Sequence, residues 1–185
     1  LGYEEGIGLV GNKEWAEKGR GWAEPGTTPW IPEDIASASI GQAVIQVTPL
    51  QLARAYAVFA NGGYLITPHL VEGNINWLDS KYRQKVDISP NTLDTIRKGL
   101  RKVVESGTGR NLELDSLDLP PVAGKTGTAE DSSGGEDHAW FVCFAPYDSS
   151  DIVIVAFAQN TPGGGSTHAV PMAQDILKVW QKSNL

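Results

Sequence analysis

Only one cysteine, one methionine and three histidines occur among the 185 residues of this chain. Cys143 has no partner for an intramolecular disulfide, so a disulfide framework is excluded and the redox compartment stays open. The apolar run around Cys143 predicts a small, buried side chain. Basic residues are also few, since 15 Lys and Arg face 22 Asp and Glu and give a net charge of -7. This balance argues against a nucleic-acid-binding surface and leaves no polybasic patch for a membrane.

Long hydrophobic runs are absent as well. No apolar stretch approaches the ~20 residues of a membrane-spanning helix, and no signal-peptide pattern opens the chain. The sequence is 41% hydrophobic and 20% charged, which is typical of a globular protein. Its 185 residues are enough for one domain or for most of a larger one. Because the chain starts at Leu1 and not at a methionine, we expect it to be a piece of a longer protein.

Residues 1–35 have no sustained hydrophobic period and are rich in Gly, Trp, Glu and Pro. Glycines and X-Pro pairs interrupt regular structure, so we predict an irregular, loop-rich segment here. Trp15, Trp22 and Trp30 are expected to pack this loop. A loop of this length is usually functional or part of a larger structure.

Two helices are predicted before the central strand. Residues 48–51 form a capping box with proline at the first helical position, and residues 61–63 (Asn-Gly-Gly) end that helix. The second helix should run from Pro90 to Glu105 with Ser89 as its cap. Its last two turns carry four cations that match the helix dipole and need no ligand to explain them, namely Arg97, Lys98, Arg101 and Lys102.

Three strands and a last helix are predicted in the C-terminal half. Residues 138–145 and 152–158 are apolar on both faces and closely spaced, which favours an antiparallel hairpin covered on both sides. The third strand lies within residues 120–130, and Ser166 or Thr167 is expected to cap a final helix. The predicted fold is therefore α/β, of the α+β type, with helices packed on a three-stranded antiparallel sheet. One edge of so small a sheet is expected to receive another strand.

The strand at residues 120–130 contains the chemistry-bearing sequence Lys125-Thr126-Gly127-Thr128. Thr126 and Thr128 lie on one face of a strand because side chains alternate with period two. Gly127 allows another backbone to approach closely, and Lys125 supplies a compact cation. This combination suits an extended peptide that adds to the strand while its carboxylate is bound.

Two other interpretations of this strand compete with peptide binding. A phosphate loop would need glycine at position 119, which is Leu119; an ordinary edge strand with a solvated lysine is the stronger alternative.

Five segments occur in an order that resembles the penicillin-binding transpeptidases, and particularly their elongation-type class B members. They are ASIGQ, TPLQLARAYAVFANGG, AGKTGTAE, HAWFVCFAP, and a glycine run that precedes the last helix in the pattern GGG-S-x-x-x-x-P. The resemblance covers essentially the whole chain. It implies a fold like that of the serine β-lactamases and transpeptidases, and a serine acyltransferase that acts on D-alanyl-D-alanine stem peptides of peptidoglycan and binds β-lactams.

The resemblance also implies a role for each residue of the strand. Lys125 would supply positive potential, Thr126 and Thr128 would hydrogen-bond the terminal carboxylate, and Gly127 would belong to the same substrate-binding stretch. The backbone N–H of Thr128 would be one arm of the oxyanion hole. No cofactor or metal is implied. The implied partners are stem peptides, β-lactams and a membrane glycan polymerase. The implied location is the periplasmic, extracytoplasmic face of the plasma membrane, with the anchor outside this chain.

One departure from the family pattern concerns the nucleophile. None of the serines is followed three residues later by lysine, so the S-x-x-K motif is missing. Ser89-Pro90-Asn91 matches the S-x-N motif by letters, but we interpret it as a helix cap. We therefore expect residues 1–185 to be the C-terminal part of a transpeptidase domain, inactive by itself, whose nucleophile lies upstream. The alternative is a non-catalytic penicillin- or peptidoglycan-binding module; a serine β-lactamase would share KTG but does not explain residues 48–63.

The remaining polar and aromatic candidates have simpler explanations. The histidines do not have metal-ligand spacing, the acidic loop after the KTGT strand lacks the pattern of a calcium loop, and two tryptophans are expected in the core and not on a sugar platform. These residues are His69, His138, His168, Glu130, Asp131, Glu136, Asp137, Trp140 and Trp180.

Overall fold

The computed structural model describes residues 36, 39–42, 47–70, 82–112, 119–131 and 134–183. The chain forms two compact units, Leu1–Leu52 and Ala53–Leu185. The predicted loop-rich segment 1–35 lies outside the described residues. Within the described ranges, no helix has both the length and the apolar character needed to cross a membrane.

The first described helix, α1 (Pro49–Ala60), begins with the predicted capping box. The Thr48 N–H donates to Gln51 Oε1 at 2.8 Å, and the Gln51 N–H donates to Thr48 Oγ1 at 3.2 Å. This reciprocal pairing of Thr48 and Gln51 satisfies backbone donors that a helix N-terminus leaves open. After α1, the Asn61 side chain accepts a hydrogen bond from the Tyr64 N–H at 2.8 Å.

A two-stranded antiparallel ladder follows, formed by β1 (Tyr64–Ile66) and β2 (Arg83–Lys85). The sequence predicts an extended stretch over residues 64–71 and a short strand pair in the polar segment 72–87. Within the described residues, the start of the first stretch pairs with the end of the second. Residues 71–81 lie outside the described residues.

The second helix, α2 (Pro90–Glu105), has the predicted bounds and cap, since Ser89 Oγ accepts from the Thr92 N–H at 3.1 Å. Its cations do more than complement the helix dipole. The Arg97 guanidinium donates to the carbonyls of Phe59 and Tyr147, and Arg101 Nη1 donates to the Val122 carbonyl at 2.9 Å. The dipole explanation was therefore incomplete, because these two arginines tie α2 to distant parts of the chain.

The main sheet is the predicted antiparallel meander. Its strands are β3 (Ala123–Ala129), β4 (His138–Ala145) and β5 (Ile152–Ala158), in the order β3-β4-β5. The β4–β5 hairpin has the predicted bounds, and Lys125 faces Val142 across the β3–β4 ladder. These strands pair over their full length, so the position of β3 is fixed by β4 along seven residues.

Helices pack against the sheet through two separate apolar clusters. One cluster includes Phe141 and Cys143 of β4 together with the face of the last helix. The other joins Phe144 and Ala123 to Leu100 of α2. Both faces of the hairpin are therefore covered, as predicted from its unbroken apolar sequence. Trp180 packs at the margin of the first cluster, in agreement with a core role.

The last helical region differs from the prediction at its start. Gly163, with φ of 103°, precedes a single turn α3 (Gly164–Thr167), and helix α4 (Ala169–Ser183) begins only after His168. Ser166 and Thr167 therefore lie inside α3 and do not cap α4. The left-handed backbone at Gly163 turns the chain before Ser166, which explains the early start. The spacing of Val170, Ala173 and Leu177 in the sequence predicts one apolar helix face, and all three side chains are buried.

Because Cys143 is buried, the free energy of unfolding is expected to depend on pH. Desolvation raises the pKa of this thiol from its ordinary 9.0 to about 12, because the thiolate is disfavoured inside the core. The Cys143 thiol loses its proton at a lower pH in the unfolded chain than in the folded protein. The buried, protonated thiol therefore contributes its full stability below pH 9, and this contribution is lost as pH rises toward 12. We expect stability to fall more steeply in the native protein than in Cys143→Ala, by up to about 1.4 kcal/mol per pH unit. Chemical denaturation from pH 8 to pH 11 measures this slope, and parallel curves would contradict it.

Two glycines of β3 should differ sharply in their tolerance of a methyl group. A Cβ at Gly124 would lie 2.5 Å from the Val142 carbonyl oxygen and 2.8 Å from Cys143 Cβ. A Cβ at Gly127 would meet only Trp140 Cβ, at 3.3 Å. Gly124→Ala is expected to lower the free energy of unfolding by at least about 2 kcal/mol, and Gly127→Ala by less than about 1 kcal/mol. Urea unfolding of the two variants tests this order, which equal losses would refute.

Candidate functional site

Strand β3 brings the predicted site residues to the edge of the main sheet. It pairs with β4 on one side, and within the described ranges no strand pairs with its other side. Arg101 holds the start of this strand through its hydrogen bond to the Val122 carbonyl. An edge strand held in this way presents backbone donors and acceptors to an incoming extended chain.

The side chains of β3 divide between the two faces of the sheet. Lys125 pairs in register with Val142 and Gly127 with Trp140, while Thr126 and Thr128 occupy the alternate positions. Lys125 and Thr128 are exposed and Thr126 is half-buried. Lys125 Nζ donates to the carbonyl oxygen of Thr126 at 2.8 Å, so its cation lies against the strand itself.

A glycine-rich turn contacts Thr128 from the start of α3. The Gly165 N–H donates to Thr128 Oγ1 at 3.4 Å. A Cβ at Gly165 would lie 2.6 Å from the Gly127 carbonyl oxygen and closer still to that of Trp140, and a Cβ at Gly164 would collide with Thr128 Oγ1. The sequence predicted a close backbone approach at Gly127, and one occurs. The glycine that permits it is Gly165.

A second glycine-flanked turn contacts Thr126. Thr108 follows α2, and its Oγ1 lies 2.5 Å from Thr126 Oγ1. Thr108 is not among the site residues that the sequence predicts. The available signal was the arrangement of Thr108 between Gly107 and Gly109, since short glycine-flanked turns can present a polar side chain at a fixed position.

Two of the candidate histidines and Ser89 have structural partners in the described part of the chain. His138 Nδ1 accepts from the Asn160 N–H at 3.3 Å, so this side chain makes a structural hydrogen bond. The His168 Nε2 atom lies 2.5 Å from the Pro162 carbonyl oxygen. Ser89 caps α2, which confirms that its S-x-N match is a helix cap. The described residues contain no group of three or more His, Cys, Asp or Glu that could hold a metal ion.

Taken together, two hydroxyl groups and one cation lie within four consecutive residues of an edge strand, and each hydroxyl is held by a separate turn. Hydroxyl donors and an ammonium favour an anionic ligand, and a carboxylate accepts several such hydrogen bonds at once. The outer edge of β3, with which no described strand pairs, favours a ligand with an extended backbone. The arrangement therefore suits a peptide carboxylate.

Comparison with known proteins agrees with this geometry. The family model described as the penicillin binding protein transpeptidase domain matches residues 7–178. The peptidoglycan D,D-transpeptidase MrdA of Haemophilus influenzae is 31% identical over 98% of this chain. The chain spans about 30% of the length of that relative.

Two solved structures are also similar. Pseudomonas aeruginosa PBP2, in complex with WCK 5153, is 31% identical with a TM-score of 0.72, and the match covers 94% of this chain and 38% of that one. A structure from a peptidoglycan synthase complex that coordinates polymerization and crosslinking is 34% identical with a TM-score of 0.67, over 83% of this chain and 27% of that one.

These matches confirm the resemblance first seen in the KTGT strand and the segments around it, including its likeness to elongation-type class B proteins. With a family model that covers nearly the whole sequence, the chain belongs to the penicillin-binding protein transpeptidase domain family.

Proposed function

We propose that residues 1–185 are the C-terminal part of a peptidoglycan D,D-transpeptidase domain that cross-links stem peptides through a serine acyl-enzyme. The observation that carries this proposal is the Lys125–Thr128 sequence on an edge strand whose outer side pairs with no described strand. The transpeptidase activity named for the Haemophilus relative supports it.

Binding begins with the donor peptide in an extended conformation along the outer edge of β3. The main-chain groups of the strand supply affinity, and the terminal D-alanine carboxylate accepts hydrogen bonds from the hydroxyls of Thr126 and Thr128. Lys125 adds positive potential at the same end of the strand. Charge-assisted hydrogen bonds of this type are about twice as strong as neutral ones, so the free carboxylate selects an uncapped stem peptide.

The chemistry requires a serine that lies upstream of this sequence. Its Oγ attacks the carbonyl carbon of the penultimate D-alanine while a base takes the hydroxyl proton. The C–N bond to the terminal D-alanine then breaks, and that residue leaves as a protonated amine. The amine of a second stem peptide attacks the ester, which forms the cross-link and releases the serine.

The proposed donor to the tetrahedral oxyanion is the backbone N–H of Thr128. An N–H aimed at this developing charge lowers the barrier by about 2.7–4 kcal/mol when it is fixed in advance. The tether between Thr128 and Gly165 supports such a fixed position. A β-lactam carries a carboxylate beside a strained amide, so the same groups would bind it and the serine would be acylated without release of a leaving fragment.

The location and partner follow from the same proposal. Stem peptides lie outside the cytoplasm, so the complete protein would work at the periplasmic, extracytoplasmic face of the plasma membrane, anchored by a segment outside this chain. A membrane glycan polymerase is the proposed partner, because one structural relative comes from a complex that coordinates polymerization with crosslinking.

The second candidate is a non-catalytic penicillin- or peptidoglycan-binding module. One observation favours it, since no serine in the sequence has lysine three residues later. Intact-mass measurement of the full-length protein after β-lactam exposure separates the two, because binding without chemistry leaves the mass unchanged.

The missing S-x-x-K motif predicts different outcomes for two polypeptides. The 185-residue chain should give no covalent band with a fluorescent penicillin, because it holds no activated serine. The full-length protein should give a band that excess unlabelled penicillin removes. Denaturing electrophoresis after labelling makes the comparison, and a covalent band on the 185-residue chain would contradict the missing-nucleophile interpretation.

Removal of the Lys125 cation is expected to slow acylation. In the full-length protein, Lys125→Ala should slow acylation by benzylpenicillin by about 10-fold to 100-fold, as expected for loss of a charged hydrogen-bonding group worth about 1.5–3 kcal/mol. Lys102→Ala is the matched control, since Lys102 is an exposed lysine of α2. Its rate should stay within about twofold of native, as is usual for surface substitutions. Stopped-flow measurement of the acylation rates compares the two variants. Equal effects of the two substitutions would contradict a role for Lys125 in the proposed site.

A further inference from the structure

The hydroxyl groups of Thr108 and Thr126 form a short pair, with 2.5 Å between the two oxygen atoms. We propose that Thr108 is a positioning residue that directs the single hydroxyl proton of Thr126 toward the carboxylate of the ligand. This inference rests on the proposed function, because it assigns a second residue to the same carboxylate-binding site.

The turn that carries Thr108 is held firmly at the end of α2. The Gly107 N–H donates to the Lys102 carbonyl at 3.0 Å, and the Gly109 N–H donates to the Val103 carbonyl at 2.9 Å. A Cβ at Gly107 would lie 2.9 Å from the Val103 carbonyl oxygen, so only glycine fits this close return to the helix. The backbone on both sides of Thr108 is therefore fixed relative to α2.

The helix is in turn fixed relative to β3. Arg101 Nη1 donates to the Val122 carbonyl at 2.9 Å, immediately before the strand begins. Leu100 of α2 and Ala123 of β3 belong to one buried cluster. Together these contacts hold the Thr108 turn beside Thr126, so the hydroxyl pair is not a chance meeting of two mobile surface side chains.

The direction of the hydrogen bond follows from proton counting. A threonine hydroxyl has one proton and two acceptor lone pairs, whereas an ionised carboxylate can only accept. If Thr126 gives its proton to Thr108, no proton remains for the carboxylate. When a carboxylate binds, Thr108 must therefore donate to Thr126, and Thr126 must donate to the ligand. Such a chain of hydroxyls strengthens each of its hydrogen bonds through polarisation.

The Thr128 hydroxyl also accepts a hydrogen bond, in this case from a backbone N–H. Its Oγ1 accepts from the Gly165 N–H, and an amide N–H cannot take a proton in return. The two threonines of β3 thus each receive a hydrogen bond from a glycine-flanked turn, one through a side-chain hydroxyl and the other through the backbone. Of these two donors, only Thr108 can be removed by a side-chain substitution.

The test compares benzylpenicillin with its methyl ester, which lacks the anionic carboxylate, on the full-length protein. Thr108→Val removes the hydroxyl at nearly constant volume, and Thr108→Ser restores it. Thr108→Val is expected to slow acylation by benzylpenicillin about 3-fold to 10-fold, the usual effect of one neutral hydrogen bond. The rate with the ester should be unchanged, and Thr108→Ser should recover the native rate within about twofold.

A double-mutant cycle with Thr126→Val separates a positioning role from a general structural one. Because Thr108 acts through Thr126, adding Thr108→Val to Thr126→Val should cause no further loss. Equal slowing with both ligands, or additive losses in the cycle, would overturn the inference while the proposed function stands. Absence of any acylation in the native full-length protein would overturn the proposed function, and the inference would fall with it.

Discussion

The pairing of β3 on one side only is the constraint on which the site depends. Seven residues of this strand form a ladder with β4, which fixes their register and alternation. The same ladder leaves the outer backbone groups of β3 without a described strand partner. A polar strand edge is a liability in most proteins because it invites further strands. Here the edge carries two threonines and a lysine, and its capacity to pair with a further strand suits recognition of an extended peptide.

Two glycine-containing turns hold the hydroxyl groups of this strand. Gly165 approaches the backbone of Gly127 so closely that a Cβ could not fit between them, and Gly107 returns as closely to the end of α2. Each close return brings a hydrogen-bonding group to one threonine of β3. Because interiors are densely packed, small shifts in either turn would be transmitted to the site. In the proposed site, α2 and α3 would therefore contribute to function through these turns.

Local patterns predicted most of the fold, and sequence-distant contacts account for what they missed. The hairpin of β4 and β5, the α2 cap at Ser89 and the face of α4 all follow from periodicity and capping over a few residues. By contrast, the partners of Arg97 are separated from it by 37 to 50 residues, and no local pattern specifies them. Thr108 was missed for the same reason, since its partner Thr126 lies across a helix–strand junction.

The charge of the chain adds a last constraint on how it recognises its ligand. A net charge of -7 would repel an anionic peptide at long range. Salt limits that repulsion to about 8 Å at physiological ionic strength, so recognition depends on groups in direct contact. In the proposed site, Lys125 and the two threonine hydroxyls would supply such groups, and their contribution to affinity depends on how well they are oriented before the ligand arrives. In the proposed site, orientation by the flanking turns would therefore be what allows a short polar strand to bind an anion on an acidic protein.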